Sequence, residues 1–572
     1  MNKIKDLGKL NFLLDKKQIN KLILLSVLLF FAMILELIGL GTIIPLTQII
    51  LFPENSIGFY DTQIFGFVLK DLENINTIII SLFFFIYFFK IFFLTYLTFR
   101  QNKFLTNLKA TMTNNLFGLY LNQDYTFHVN ENSSRLYNNI QLETNHINLY
   151  INALIQIIVE ASMIFSSIFI LILIEPIGAI LVGIFIFICT ISFYAIFKRK
   201  LYVWGNKRAN YDKDFSKTLM EGLNGIRDYI IYDKLRELKN KFNLLSYSRS
   251  QVESNHLTIN QIPRFYLELI SIIGISGFLF ILFLQGKNNI EIITISSVFL
   301  AAIFRVIPSF NRILSSSQNL KYFKPSLELI YNEFKSNNIG KDISDNKIFK
   351  FKNEIKIEKL KFKYLKSNEY VLNSINLTIQ KGQTIGIMGQ SGSGKSTLTS
   401  LILGLIKPLD GKILVDNRDI HQNLRGWQKN IGYVPQNIFL TDSTIEENIA
   451  FGIEKNKIDR DLLDYALKSS QLDQFVNSLS NKEKTKVGER GVQLSGGQIQ
   501  RIGIARALYK KPNLIILDEA TSSLDKKTES NFMNSVYNEL NGLTKIIISH
   551  NIETLNNCDI VYYILNGKLI EK

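Results

Sequence analysis

Six long apolar segments crowd the first 320 or so residues: Leu22–Leu51, Thr77–Phe99, Ile147–Ile174, Pro176–Phe197, Ile262–Leu284 and Ile292–Leu314. Each meets or exceeds the ~20 residues a helix needs to cross the hydrocarbon core of a bilayer. A core helix of a soluble domain is seldom so uniformly apolar, so the pattern predicts six membrane spans. The formal net charge is +16 and the mean hydropathy is +0.12. In a soluble protein that charge would suggest a nucleic-acid partner. In a membrane protein it is expected from basic residues gathered on cytoplasmic loops. The second reading fits, and no nucleic-acid partner is expected.

Basic residues set the orientation. Arg100, Lys103 and Lys109 follow the second segment, and Lys198, Arg199, Lys200, Lys207 and Arg208 follow the fourth. The turns around Glu175 and Gly286–Glu291 carry little charge. Positive-inside logic therefore puts both termini in the cytoplasm. Met1–Lys21 is mixed and charged, and the run after it is too long for a signal-peptide core, so it reads as a first span. The cysteines are Cys189 and Cys558, one in each half, which makes a disulfide framework implausible.

Two excursions, 101–146 and 198–261, are polar yet poor in Gly and Pro, and read as spans continued into the cytoplasm. The outer loop "PENSIGFYDTQIFGFVLKDLENIN" holds Ile57, Phe59, Ile64, Phe65, Phe67, Val68 and Leu69. A short helix in the membrane interface would explain them; so would a loop packed on its own helices. Residues 1–334 thus read as the membrane domain and 335–353 as a polar linker. Residues 354–572 read as an α/β domain, because short β-branched runs there alternate with helical stretches.

"GQSGSGKS" at Gly389–Ser396 fits the G-x-x-x-x-G-K-[ST] phosphate loop. It follows the apolar strand "TIGIM" and opens the helix "STLTSLILGL", the context the motif requires. Backbone N–H groups of Gly389, Gln390, Ser391, Gly392, Ser393 and Gly394 would close around phosphates, with Thr397 beside them. Lys395 would reach the β- and γ-phosphates, and the Ser396 hydroxyl would bind Mg²⁺. "LIILDEA" is an apolar strand ending in two acids. Asp518 is placed to hold magnesium through water, and Glu519 to polarise the attacking water as a general base.

"LSGGQ" at Leu494–Gln498 leads the helix "IQRIGIARALYKK". With it the chain resembles an ATP-binding-cassette (ABC) transporter of the exporter half-transporter type. Other family motifs follow the same order. Tyr364 matches the residue that stacks on adenine. Gln436 in "YVPQ" matches the glutamine that touches Mg²⁺ and the attacking water. "GERG" at Gly488–Gly491 matches the X-loop, and "SSLD" at Ser522–Asp525 the D-loop. His550 in "IIISHN" matches the switch histidine at the γ-phosphate. Ile499 departs from the Arg or Lys frequent after the signature. The resemblance implies an all-α six-helix transmembrane domain followed by a cytoplasmic α/β P-loop NTPase (ABC) domain, using ATP and Mg²⁺. Ser495, Gly496, Gly497 and Gln498 would face the γ-phosphate held by a second copy, which implies a homodimer. Turns near Asp124–Phe127 and Gly225–Tyr232 match the coupling helices by position.

Cargo must be read from the membrane half. Lys90, Arg264, Arg305 and Arg312 interrupt apolar helices. A basic residue at mid-bilayer costs roughly 2.5–3.5 kcal/mol on insertion scales, so it faces a wet cavity or a partner. At ~1.5 Å per residue, Lys90 and Arg305 fall near mid-depth, with Arg264 and Arg312 nearer the cytoplasmic edge. Those two could equally snorkel to headgroups, and Glu268 could pair with Arg264. Glu36 and Glu160 are candidate structural partners for the deeper pair. Arg305 and Arg312 share a helix face two turns apart, a stripe suited to a moving anion. "IPRFYLELI", "AIFRVIPSFNRILSS" and "YFKPSLELIY" resemble the bacterial lipid-linked oligosaccharide flippases that serve protein glycosylation. That resemblance implies a bacterial inner-membrane location, with Arg264, Arg305 and Arg312 lining the path of a lipid pyrophosphate and Lys90 matching by position. An exporter of peptide, drug, polysaccharide or plain lipid, and an ATP-gated channel or regulator, are the competing readings.

Overall fold

The structure is a computed structural model that describes residues 2–42, 63–64, 67–68, 75–174, 176–286, 289–336, 349, 351–364, 367–520, 529–530, 533–534, 536–537 and 542–571. The chain divides into two compact units. One is Met1–Gln123 with His128–Gly340; the other is Asp124–Phe127 with Lys341–Lys572.

The first unit is built of long helices. In chain order the helices up to Ser336 are α1 (Asn2–Leu13), α2 (Lys16–Gly41), α3 (Ile75–Leu121), α4 (Tyr125–Asn130, whose first three residues group with the second unit), α5 (Ser133–Asn138), α6 (Thr144–Ile174), α7 (Pro176–Asn224), α8 (Ile226–Ile231), α9 (Leu235–Leu284) and α10 (Asn289–Ser336). Among the described residues, Lys16–Gly39, Ile80–Leu121, Ser133–Leu173 and Leu235–Leu284 are long and apolar enough to cross a membrane. The fourth and sixth apolar segments lie in α7 and α10, which run for 49 and 48 residues. Such lengths exceed what a bilayer requires, as the helix-permissive excursions predict. The outer part of α3 exposes Phe84, Phe85, Phe88, Phe89 and Phe92. An apolar surface of that kind suits lipid, not water.

α6 packs chiefly on α10. Ile164, Phe193, Leu267, Val306, Phe310 and Leu314 form the core that α6, α7, α9 and α10 share. Further along the same helices the core turns polar. Arg208 donates to Ser326 Oγ at 2.6 Å, faces Glu143 at 3.5 Å and lies over the rings of Tyr322 and Phe323. A buried guanidinium tied this way holds helices together where hydrocarbon no longer does. The short helices α4 and α8 fall on the two turns expected to act as coupling helices. In the outer loop, Gln63–Ile64 (β1) pairs antiparallel with Phe67–Val68 (β2), so these four residues are not helical. The rest of the expected interfacial segment lies outside the described residues.

The second unit is α/β. Six strands stand in the order β12-β11-β5-β10-β9-β8, namely Lys568–Glu571, Ile560–Leu565, Thr384–Gly389, Thr544–Ile548, Leu514–Asp518 and Ile431–Val434. All neighbours are parallel except β11 with β12. β9 and β10 are buried along their whole length, which is why residues 514–517 and 546–548 read as continuous apolar runs rather than alternating ones. A second, antiparallel sheet holds β4 (Leu372–Gln380), β3 (Glu354–Phe362), β6 (Asp410–Val415) and β7 (Arg418–Asp419). Phe349 and Phe351, inside the stretch read as linker, are buried edge-on to Trp427 and belong to this unit's core.

Candidate functional site

In an open parallel sheet, ligands gather beyond the carboxyl ends of the strands. β5 lies inside the sheet between β11 and β10. Its end leads through the glycine loop into α11 (Lys395–Ile402). Two glycines in this loop are required by geometry. A Cβ on Gly389 would stand 2.7 Å from Ser393 Oγ and 2.8 Å from the Ile564 carbonyl oxygen. Gly394 has φ +107, and its Cβ would meet Leu372 at 2.9 Å. The buried Lys395 donates from Nζ to the carbonyl oxygens of Gly389 at 2.8 Å and Gln390 at 3.0 Å. Ser393 Oγ is buried and has no hydrogen-bond partner. A cradle too tight for a side chain, an orphaned hydroxyl and a cation curled into the loop together fit a phosphate chain.

The register Asp518↔Ile548 and Ile548↔Ile387 brings the ends of β9, β10 and β5 level. Asp518 is buried there, and Tyr433 Oη on β8 donates to its Oδ2 at 3.4 Å. Burial, and next the charge of Glu519, raise the Asp518 carboxyl above the ordinary aspartate value; Tyr433 and Lys395 oppose the rise. Glu519 sits at φ +49, and its N–H donates to the Ile548 carbonyl at 2.9 Å. That left-handed backbone is uncommon for a non-glycine residue. It turns the side chain off the strand, where Gln436 Nε2 donates to Oε2 at 2.7 Å. His550 Nδ1 lies 4.0 Å from Oε1. Gln436, Glu519 and His550, separated by up to 114 residues, thus share one carboxylate.

Other expected residues make contacts of their own. Tyr364 is half-exposed, packs edge-on to Phe362 and shares a 3.2 Å hydrogen bond with Thr397 Oγ1. Ser396 is exposed. Ser495 caps helix α16 (Gly496–Tyr509), its Oγ accepting from the Gln498 N–H at 3.3 Å while Gln498 Oε1 accepts from the Ser495 N–H at 2.8 Å (α12 to α15 are Leu424–Gln428, Ile445–Ile449, Arg460–Ser469 and Asp473–Ser478). The reciprocal box fixes the helix N-terminus through Ser495 and Gln498, and the backbone N–H groups of Gly496 and Gly497 take no part in it. Ser522–Asp525 lie outside the described residues.

The basic residues of the membrane half separate sharply. Lys90 is buried, 3.0 Å from the equally buried Glu36 and 4.7 Å from the Tyr87 ring centroid. It is therefore a structural cation in this conformation, and not a cavity-lining one. Arg264 is exposed and reaches Glu268 at 3.2 Å on its own helix. Arg312 is 53% exposed while holding the buried Glu160 at 2.8 Å. The side chain of Arg305 lies outside the described residues. Breaking one partner from a buried pair costs about 3–5 kcal/mol. Lys90→Met should accordingly lower the melting temperature of the detergent-solubilised protein well below that of Arg264→Met, in which only an exposed pair is lost.

The family model for ABC transporters matches residues 372–522. The chain carries an ABC transporter cassette. Over 203 residues it is 42% identical to ABC transporter B family member 3 of Dictyostelium discoideum, covering 35% of this chain and 14% of that protein. Over 227 residues it is 40% identical to multidrug resistance protein pgp-1 of Caenorhabditis elegans, covering 39% of this chain and 17% of that protein. The matches thus span less than a fifth of those relatives' length. A solved structure of a bacterial Atm1-family ABC exporter with ATP bound superposes with TM-score 0.78 at 19% identity, over 96% of this chain and 95% of that one. The fold is thus a helical transmembrane domain followed by an α/β ABC nucleotide-binding domain.

Two cassette residues carry roles the motif reading passed over. Arg506 on α16 donates to the carbonyls of Asn448 and Phe439, both at 2.8 Å, and so ties α16 to the segment after Gln436. Its signal was a charge on an otherwise buried helix face. Tyr433 stands three residues before Gln436, and its hydroxyl favours the ionised form of Asp518. Tyr433→Phe removes that donor, so the Asp518 carboxyl should rise further. The acid limb of the cassette's ATPase pH profile should then move to higher pH, with a few-fold loss of rate at its foot and little at its plateau.

Proposed function

We propose that this chain is an ATP-hydrolysing exporter, working as a homodimer, that moves a polyprenyl-pyrophosphate-linked oligosaccharide from the cytoplasmic to the outer leaflet of a bacterial inner membrane. The observation that carries the hydrolytic half is the shared carboxylate, with Gln436, Glu519 and His550 at the strand ends beside a phosphate-shaped loop. Lys395 leaves the carbonyls of its own loop to take the β- and γ-phosphates. Glu519 orients a water and accepts its proton; Gln436 holds that carboxylate in place, and His550 approaches the γ-phosphate. Ser396, Gln436 and, through water, Asp518 would hold Mg²⁺, which when bound neutralises charge on the transferring phosphoryl group. Tyr364 offers its half-exposed ring to adenine. Ser495 and the N–H groups of Gly496, Gly497 and Gln498, preset by their capping box, would close the second copy's site.

For the cargo, support comes from Arg312. Its guanidinium keeps free donor positions while Glu160 fixes its direction, an arrangement suited to a phosphate oxygen. Arg305 stands two turns further out on α10. In proteoliposomes loaded with lipid-linked oligosaccharide, Arg312→Ala and Arg305→Ala should each slow flipping about tenfold, the usual worth of one charge-assisted contact. Unchanged flipping in both variants would remove the pyrophosphate pathway.

A second reading has its own observation. An apolar cavity of about 780 Å³ lies between α6, α7 and α10, walled by residues such as Ile168, Ile184, Phe187 and Phe310. It suits export of another amphipathic molecule, the class to which the name of the multidrug relative points.

A further inference from the structure

A second cavity, of about 420 Å³, lies where α6 faces α10 and α9 near Arg312. Its chemistry differs from everything around it. On α6, Asn152 and Gln156 line it, and Glu160, which pairs with Arg312, continues the same i, i+4 row. On α10, Asn311, Ser315 and Asn319 form a matching row. Residues four apart share a helix face, so two polar stripes oppose each other next to the apolar core around Phe310 and Leu314. The wall is braced from behind. Gln101 Nε2 donates to Asn152 Oδ1 at 3.2 Å, and Asn260 Nδ2 to Asn319 Oδ1 at 3.0 Å. Two of the lining residues also carry an unsatisfied acceptor: Asn311 Oδ1 and Asn260 Oδ1 are buried without a hydrogen-bond partner.

Buried polar atoms that lack partners are costly, and a bundle keeps them where water or a ligand satisfies them. Carboxamides and serines are uncharged and offer donor and acceptor side by side. They match hydroxyl groups, which also donate and accept, better than they match a hydrocarbon tail or a lone phosphate. The cation at the rim, Arg312, supplies what they lack for an anion. We propose that this cavity seats the uncharged, polyhydroxylated headgroup of the transported lipid, with Arg312 on the anionic linker that joins headgroup to lipid. The proposal rests on the reading of the cargo as a pyrophosphate-linked glycan, and adds to it the residues that recognise the sugar.

The experiment compares stimulation of ATP hydrolysis in proteoliposomes by three probes: polyprenyl pyrophosphate bearing an oligosaccharide, the same lipid without sugar, and the released oligosaccharide. The wild-type protein should respond to the sugar-bearing lipid at a concentration about tenfold or more below that for the bare lipid, as sites built for hydroxyls discriminate against analogues lacking them. The double variant Gln156→Leu with Asn311→Leu should lose that preference and keep its response to the bare lipid. Equal wild-type responses to the two lipids overturn the polyol cavity and leave the pyrophosphate reading standing, with no variant required. Retained preference in the double variant also overturns it. Released oligosaccharide acting as well as the linked form shows that no linker is recognised and overturns it too. No response to either lipid removes the cargo reading and this proposal together.

Discussion

Glu519→Gln should cut ATP turnover by about 10²–10⁴-fold, the range a general base contributes, and leave ATP binding in place. The substitution isolates proton acceptance from everything else the residue does. Gln has the same length, and it tolerates the left-handed backbone at φ +49 as Glu does. Its amide oxygen can still accept from Gln436 Nε2, which now donates to Oε2 at 2.7 Å. What disappears is one negative charge. That charge helps to raise the neighbouring Asp518 carboxyl, so its loss lowers the Asp518 pKa and keeps the magnesium-facing carboxylate ionised to lower pH. Nucleotide binding should therefore be retained or slightly tightened while hydrolysis stops. The readouts are phosphate release and binding of a fluorescent ATP analogue. Turnover within tenfold of wild type would pass the base role to another group, with His550 the nearest candidate at 4.0 Å from Oε1.

Legibility in the sequence followed the range of the interactions. The phosphate loop and its flanking elements are contiguous, and "TIGIM" and "LIILD" stand in the structure as the parallel strands β5 and β9. Their uninterrupted apolar character is itself the mark of a sheet covered on both faces. Tyr433 was hidden because its role depends on which strand lies beside β8. Only the pairing of Tyr433 with Ile516 carries its hydroxyl towards Asp518. The basic residues show the same limit. Depth along a helix can be counted, so Lys90 was expected at mid-membrane. Rotation cannot, so Glu36 and Glu160 stood only as candidate partners; α2 brings Glu36 to Lys90 from 54 residues away, whereas Glu160 holds Arg312. A structural cation and a cargo-binding one look identical until the facing helix is known. The row Asn152–Gln156–Glu160 went unread in the sequence, because only the structure sets Asn311, Ser315 and Asn319 opposite it.

Within the phosphate loop, Gly389→Ala and Gly392→Ala should fail in different ways. Gly389 ends β5 and pairs with Ile564 of β11. Its added Cβ would lie 2.8 Å from a backbone oxygen of that strand and 2.7 Å from Ser393 Oγ. Ser393 Oγ can rotate away, but the Ile564 oxygen belongs to the backbone of β11, so β5 and β11 must part or the loop must take another path. Overpacking of this kind costs about 1–3 kcal/mol, and here it falls on the strand that aims the loop. The cassette of Gly389→Ala should melt earlier and lose measurable ATP binding. Gly392 has φ +80, and a Cβ added there would have nothing within 4 Å. Its Ala variant meets only the left-handed backbone penalty of roughly 1–2 kcal/mol, in an exposed loop that can relax. It should melt near wild type and bind ATP about tenfold more weakly, since about 1.4 kcal/mol is one decade. If the two variants lost stability and affinity in parallel, the close approach of β5 to β11 would not be what demands glycine at 389, and backbone freedom alone would explain both positions.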